Sequence, residues 1–450
     1  MASIVSPHGT EVELITYPQS SATTLDPEIE SQRVQADEAT GGFSLPPTDG
    51  GKDAWLFLFA CFMLEGLIWG FAASYGIFQE HYSSHAPFAG ERNIAVVGAC
   101  AMGIMYMAIV PMFALLKSYP RLRAWATPAG LVIMGLSLGL GSLSNTVTQL
   151  IISQGIMYSI GGGLAWTPIL FYIEEWWVRR RGFAYGATMA GLGLSGAIMP
   201  MVLQWLLARY GFRTTLRVCA LSFVVLNFPI LFFFKPRLPL SQTTQTRGFD
   251  MSFWTCTTFL VQQSVVVLQG LGYFLPAIYL PTYALSLGAS GLQSTVTIVL
   301  LNFAAFLGSL TMGTAVDKWD VTNCLAISAM GSTLAVFLLW GFATNLAVLY
   351  VFCVMYGAFA GCNSSSWSAV MRDTKAKRER ADLGMIFAFL SAGKGVANLC
   401  SGPLSEVLLH AGNWKAGMAY GGGYGALIVF TGTTALLSTW GLAAKRIGWM

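Results

Sequence analysis

Twelve apolar stretches, each long enough to cross a lipid bilayer, recur along this 450-residue chain. A helical span needs about 20 residues, and inside hydrocarbon every backbone polar group must find its partner within the protein. The stretches cover residues 54–78, 93–116, 122–143, 147–173, 182–208, 213–234, 253–280, 291–316, 322–343, 346–371, 382–409 and 414–444. They predict an all-α membrane protein. Composition agrees: 55% of residues are hydrophobic and 10% charged, with mean hydropathy +0.60. A soluble domain carries about 25% charged residues, so an ordinary cytosolic enzyme is excluded. A disordered chain would be polar and charged. The net charge of +4 is too small and too scattered for a nucleic-acid binder.

Residues 1–53 stand apart. They hold nine acidic residues, two basic ones (Arg33 and Lys52), and no apolar periodicity. They read as a disordered acidic tail, not a signal peptide. The remainder divides into residues 54–234, a linker at 235–252, and residues 253–450. Each half holds six stretches. The basic run at Arg179–Arg181 leads into a small-residue helix ending at Pro200. The run at Lys375–Arg380 leads into its counterpart ending at Pro403. Two such pseudo-symmetric six-helix bundles are the plan of transporters with parallel repeats. With the N-terminus inside, the cytoplasmic loops and C-terminus hold seventeen Lys and Arg residues. The outer loops hold five: Arg92, Arg209, Arg213, Arg217 and Lys415. That bias puts both termini in the cytoplasm. The plasma membrane is the default location.

Two ionisable residues lie deep in the spans. Glu65 is about 16 Å along its helix and Lys394 about 18 Å along its own, at 1.5 Å per residue. A charge at the bilayer centre costs at least roughly 2.5–3.5 kcal/mol, so each should face a wet cavity or a partner. Glu65 is a candidate proton carrier and Lys394 a candidate site for an anionic group; a structural salt bridge or a buried hydrogen-bonded pair is the alternative. Cys362-Asn363-Ser364-Ser365-Ser366-Trp367-Ser368 is dense in polar residues and should line a cavity. Its counterpart runs from Gly161 to Pro168 and contains Trp166. Asn363, Trp367, Trp166 and Asn302 complete the candidate substrate or coupling set, with packing as the alternative role. Arg179, Arg180, Arg181, Asp317 and Lys318 are candidate gating residues, able to meet the other bundle when the inner side closes. Gly191-x-Gly193-x-x-Gly196 matches a dinucleotide fingerprint, but it lies inside an apolar helix and reads as close helix packing. The eight cysteines and four histidines show no metal-ligand spacing. No phosphate-binding loop of a primary pump occurs.

Three segments carry a resemblance. They are Pro47-Thr48-Asp49-Gly50-Gly51, the Trp69–Glu80 segment, and Glu175-Trp176-Trp177-Val178-Arg179-Arg180-Arg181-Gly182. Together with the twelve-helix layout they resemble the major facilitator superfamily, and within it the fungal branch of the monocarboxylate-transporter-like family. The resemblance implies two bundles around a midplane site worked by alternating access. It also implies a lysine near the outer end of helix 1 and an aspartate–arginine pair in helix 8, which move a carboxylate with a proton. Here those positions fall near Ala73 and offer only Asn302, a departure from proton-linked monocarboxylate transport.

The expected function is therefore secondary active transport of a small organic solute, with export of a secondary metabolite favoured. Ion or proton coupling supplies the driving force, a co-transported or exchanged proton being one form of it. No enzyme activity, cofactor or metal is expected, and a monomer in the lipid bilayer is the working unit. Proton-linked uptake of a monocarboxylate is one alternative. A membrane sensor or scaffold that binds without flux is another.

Overall fold

Hydrogen-bonded helix accounts for nearly all of the chain that the structure, a computed structural model, describes: residues 46–91, 93–238, 250–411, 419–420 and 423–449. By contacts the chain divides into Met1–Leu45 and Pro46–Met450. Most of the sequence-predicted tail, and the basic residues Arg92, Arg247 and Lys415, lie outside the described residues. So do residues 239–249 of the linker.

Eleven helices among the described residues are long and apolar enough to span a membrane. They are α1 (Lys52–Ser84), α2 (Ile94–Ser118), α3 (Pro120–Gly141), α4 (Val147–Trp176), the run Arg181–Leu231, α7 (Thr257–Ser286), α8 (Gly291–Val316), α9 (Val321–Trp340), α10 (Leu346–Lys377), α11 (Leu383–His410) and α12 (Gly425–Arg446). The Arg181–Leu231 run has 51 residues. A straight helix of that length would reach about 76 Å, more than twice the hydrocarbon thickness of about 30 Å. Gly211 interrupts it at φ 70°, ψ 172°, a left-handed φ that glycine adopts without steric cost. The run is therefore two spans, α5 (181–210) and α6 (212–231). The pass count matches the twelve stretches read from the sequence.

Two short turns are held by side-chain caps. Thr146 and Gln149 form a reciprocal capping box at the start of α4. Asn345 accepts from the Val348 N–H at the start of α10. Each satisfies donors that a helix start otherwise leaves open. Breaks inside spans also have local causes. α4 steps at Thr167–Pro168, where proline cannot donate. α10 tightens into a 3₁₀ turn at Asn363–Ser366.

The outward surface of α6, with Leu221, Val225, Phe228 and Phe232 exposed, is apolar on the side away from the bundle. That suits lipid contact, where packing and interhelical hydrogen bonds replace the hydrophobic effect as the force between helices. Inside α5, a Cβ on Gly191 would fall 2.2 Å from the Phe62 carbonyl oxygen of α1. The apparent nucleotide fingerprint is thus a close helix contact.

Candidate functional site

The two halves meet along two seams, α5 against α8 and α2 against α11. Both run upward from the face that carries the basic loops. On the first seam the Asp317 carboxylate, at the end of α8, accepts from the backbone N–H groups of Gly182 and Phe183 at 2.8 Å each. It caps a helix start that belongs to the other half, where the helix dipole favours negative charge. Gly186 lies so close to α8 that a Cβ there would be 2.6 Å from the Ser309 carbonyl oxygen. Asn302 closes the upper part of this seam by donating to the Gly196 carbonyl at 3.1 Å and to Ile298 of its own helix at 3.0 Å. It lies about 21 Å from the end of α8, at 1.5 Å per residue. On the second seam Lys117 pairs with Asp382 at 2.6 Å. Asp382 in turn caps α11 through Gly384 and Met385.

The basic face has a second tier of contacts. Asp49 accepts from the N–H groups of Val178, Arg179 and Arg180 at 2.9–3.1 Å, and its own N–H donates to the Trp176 carbonyl. Glu175 accepts from the N–H groups of Arg237 and Leu238. The Arg237 side chain donates to the Pro46 carbonyl. The segment before α1, the turn between α4 and α5, and the start of the linker are thereby tied into one layer. The two sequence segments most responsible for the family resemblance touch each other here.

Between the seams lies a ring-lined centre. Glu65 on α1 is 2% exposed and accepts from the Trp166 indole N–H of α4 at 2.5 Å. Lys394 on α11 is 3% exposed and donates to the Ser364 hydroxyl of α10 at 2.8 Å. Its ammonium is surrounded by rings: Tyr273 at 4.6 Å, Trp367 at 5.7 Å, and Tyr106 and Phe274 at 6.0 Å. Within about 6 Å a ring face attracts a cation, which offsets part of the cost of holding a charge at this depth. The two ionisable groups do not form a direct ion pair. Rings bridge the gap between them. Trp166 meets Trp69 at 6.2 Å, and Trp69 meets Tyr106 at 4.3 Å. Beneath, on the basic side, Phe387 stacks on Trp166 and on Tyr185, both at 5.5 Å, and meets Trp367 edge-on at 5.1 Å. This aromatic floor sits about 10 Å below Lys394, seven residues along α11.

The sequence-predicted residues therefore separate into three groups. Glu65, Lys394, Trp166 and Trp367 converge on the centre. Asn363 lies in the same turn as Ser364, but it lines a space inside the C-terminal bundle. Asn302 is a strut between halves, its amide N–H groups already given to carbonyls. Among the gating candidates, Asp317 spans the seam. Arg181 pairs with Glu174 at 3.0 Å. The Arg179 and Arg180 side chains and Lys318 are exposed. Sequence reasoning missed Tyr106, Phe387, Lys117, Asp382 and the capping role of Asp49. Asp382 had a readable signal, an aspartate just before an apolar run. The rings had none, because aromatic residues occur throughout the spans.

The C-terminal half matches the family described as "Major Facilitator Superfamily" over residues 264–442. Over that segment the chain is similar to the major facilitator superfamily. Curated relatives are similar along nearly the whole chain. "MFS transporter asaE" of Aspergillus flavus is 26% identical, covering 89% of this chain and 88% of its own. The aspyridones efflux protein apdF of Emericella nidulans is 27% identical, covering 82% and 74%. The agnestins efflux protein of Paecilomyces divaricatus is 24% identical, covering 94% and 95%. Among solved structures, the human organic anion transporter MFSD10 superposes with a TM-score of 0.64 at 15% identity, over 87% of this chain and all of that one. The chain is a multi-pass membrane protein, and its two halves are joined along the seams on the basic face.

Proposed function

We propose that this transporter exports an aromatic organic acid, a secondary metabolite, and exchanges it for a proton. The observation that carries the reading is Lys394: a buried ammonium with one hydroxyl partner and four rings around it. A carboxylate or enolate can take the ammonium by a charge-assisted bond, and a planar conjugated body can stack on Trp367, Tyr106 or Trp69. Glu65 sits at similar depth with an indole N–H and no cation in contact. Its carboxyl is the proton carrier, loaded from one side and emptied to the other. The names of relatives that export aspyridones and agnestins, and of a structural neighbour that carries organic anions, support the substrate class.

In this reading the basic face is cytoplasmic, following the distribution of Lys and Arg, and the conformation is closed toward the cytoplasm. The plasma membrane is the location, as export requires. Residues 54–234 and 253–450 act as the two moving bodies, the linker joins them, and a monomer suffices. The contact between Asp49 and the 178–180 turn supports placement in the fungal monocarboxylate-transporter-like branch. Small monocarboxylates fit less well, since Asn302 has its amide occupied and the helix 1 position is Ala73.

The test is flux in proteoliposomes with an imposed pH gradient, offered a mixed extract of the producing cells and read by mass spectrometry. Aromatic acids should move with the gradient. Lys394→Gln should end their movement, while Glu65→Gln should leave exchange of acid for acid but abolish its response to pH. Movement of neutral or cationic solutes alone, or undiminished flux in Lys394→Gln, overturns the reading.

A further inference from the structure

The corner where α5 turns into α6 breaks the charge pattern of the rest of the chain. It lies on the face opposite the basic loops, yet it carries Arg209, Arg213 and Arg217. Among the described residues no carboxylate pairs with any of the three. Arg213 and Arg217 are one turn apart on α6, a spacing at which like charges repel. Arg217 lies about 8 Å into α6, at 1.5 Å per residue. Trp205 lies at a similar depth on the other side of Gly211. It is 61% exposed and meets Tyr210 edge-on at 5.8 Å. Exposed Trp and Tyr residues mark the headgroup level of a bilayer. Arg217 is itself exposed, and its neighbours Val218 and Leu221 are exposed and apolar. The two guanidinium groups therefore sit at headgroup depth on a lipid-facing surface.

Three contacts fix the antiparallel register of α3 and α6. Arg213 Nη2 donates to the Asn145 side-chain oxygen at 2.7 Å. Arg217 Nε donates to the Ser142 hydroxyl at 3.2 Å. Deeper in the membrane, a Cβ on Gly135 would lie 3.5 Å from Val224 Cγ2. Between the second and third contacts this register sets Gly139 opposite Ala220. Both are small, and a Cβ on Gly139 would meet nothing within 4 Å. The line between the helices is open at this step. Arginines roof the gap, and the exposed Leu140, Leu143 and Leu221 border it. Ser142 gives its own proton to the Gly139 carbonyl at 2.7 Å, so it accepts from Arg217 and holds that guanidinium over the gap. The tether uses the Nε–H and leaves the terminal N–H groups of Arg217 to donate elsewhere.

We infer that this corner binds a phospholipid of the leaflet opposite the basic face, with the phosphodiester on Arg213 and Arg217 and an acyl chain in the gap between Gly139 and Ala220. A phosphodiester supplies what the corner lacks. Its negative charge relieves the repulsion between the two cations, and its free oxygens accept charge-assisted bonds from guanidinium N–H groups. The acyl chain matches the apolar walls below. Inorganic phosphate would satisfy the arginines and leave the gap unfilled, whereas a lipid does both on a surface that faces the bilayer. Neither α3 nor α6 forms a seam or lines the ring-lined centre, so this lipid is a bound component and not the cargo.

Native mass spectrometry of the full chain released from phosphatidylcholine nanodiscs tests this. As collisional activation rises and boundary lipids leave, the unaltered protein should keep one phosphatidylcholine. In the double variant Arg213→Gln, Arg217→Gln the lipid-bound fraction at the same activation should fall several-fold. Gly139→Leu, which fills the gap and leaves both arginines in place, should lose the lipid as well. Arg209→Gln, on the other side of Gly211, should keep it. If the double variant does not fold, Arg217→Gln alone replaces it, with an unchanged charge-state distribution as the measure of a native fold. The inference is overturned if the unaltered protein retains no lipid, or if the glutamine variant or Gly139→Leu holds its last lipid as firmly as the unaltered protein. A loss in Arg209→Gln equal to that of the glutamine variant also overturns it, since any surface arginine would then serve.

Discussion

The seams of α5 with α8 and of α2 with α11 hold the same place in the two halves, yet they are built differently. In the first, backbone meets backbone. A Cβ on Gly182 would lie 2.5 Å from the Gly313 carbonyl oxygen, and one on Gly186 would lie 2.6 Å from that of Ser309. The Asp317 carboxylate bonds directly to main-chain N–H groups. In the second, side chains meet across the gap: Lys117 with Asp382, and Leu399 over Gly103. Main chain cannot yield, whereas a leucine or lysine can change rotamer. The first seam sets how far the basic face closes. The second adapts, and it also carries Tyr106 and Lys394 of the ring-lined centre.

The contrast fails if the seams respond alike to crowding. Gly186→Val should reduce flux at least about tenfold, equivalent to roughly 1.4 kcal/mol against the closed state. Gly103→Val, which meets a movable side chain, should cost clearly less in the same proteoliposome assay. Equal losses would remove the distinction between a rigid and a compliant seam.

Next in size is the cap across the first seam. Removing a helix cap costs about 0.5–2 kcal/mol. Asp317→Ala should therefore raise the population open on the basic face, read as faster labelling of a cysteine placed at Phe387 by a thiol reagent added from that side. Asp317→Asn, still able to accept, should fall between. Lys117→Gln should act in the same direction but more weakly, since a partly exposed ion pair is worth roughly 0.2–1 kcal/mol. Its effect should shrink further in high salt. A larger effect from Lys117 than from Asp317 would reverse the ranking of the seams.

The smallest effect belongs to a tie that crosses neither seam. Asp320 caps α9 and pairs with Lys445 of α12 in the same bundle. Burial pushes its carboxyl up, but the bonds from Lys445 and from backbone N–H groups outweigh this and hold it below the ordinary carboxylate value of 3.8. A depressed carboxylate stabilises the folded state above its unfolded value and loses that contribution as pH falls through the folded one. Below about pH 4 the melting temperature of the unaltered protein should drop more than that of Lys445→Ala. Flux at neutral pH should be the same in both. A loss of flux in Lys445→Ala would mean that the tie takes part in the exchange of states.

The layout of spans was legible because bilayer thickness imposes a length on each one, and Thr146, Asn345 and Asp382 mark where three of them start. The depth of Glu65 and Lys394 was legible for the same reason. Their surroundings were not. The ring bridge through Trp69 and Tyr106 depends on how four helices rotate about their axes, and an apolar sequence with little amphipathic contrast does not encode that rotation. Asn302 shows the limit from the other side. A polar residue deep in a span signals a partner, but the sequence cannot say whether that partner is a solute or, as here, the carbonyl of Gly196.

The Asp317 latch has a consequence for how such a chain can diverge. It grips main-chain N–H groups, which every residue type except proline supplies. What it requires of its target is a small residue at Gly182 and a helix that starts there. Side chains of α5 that do not face α8, and the rings of the centre, can change without disturbing the lock. A lineage can therefore exchange one cargo for another while its closing mechanism stays as it was.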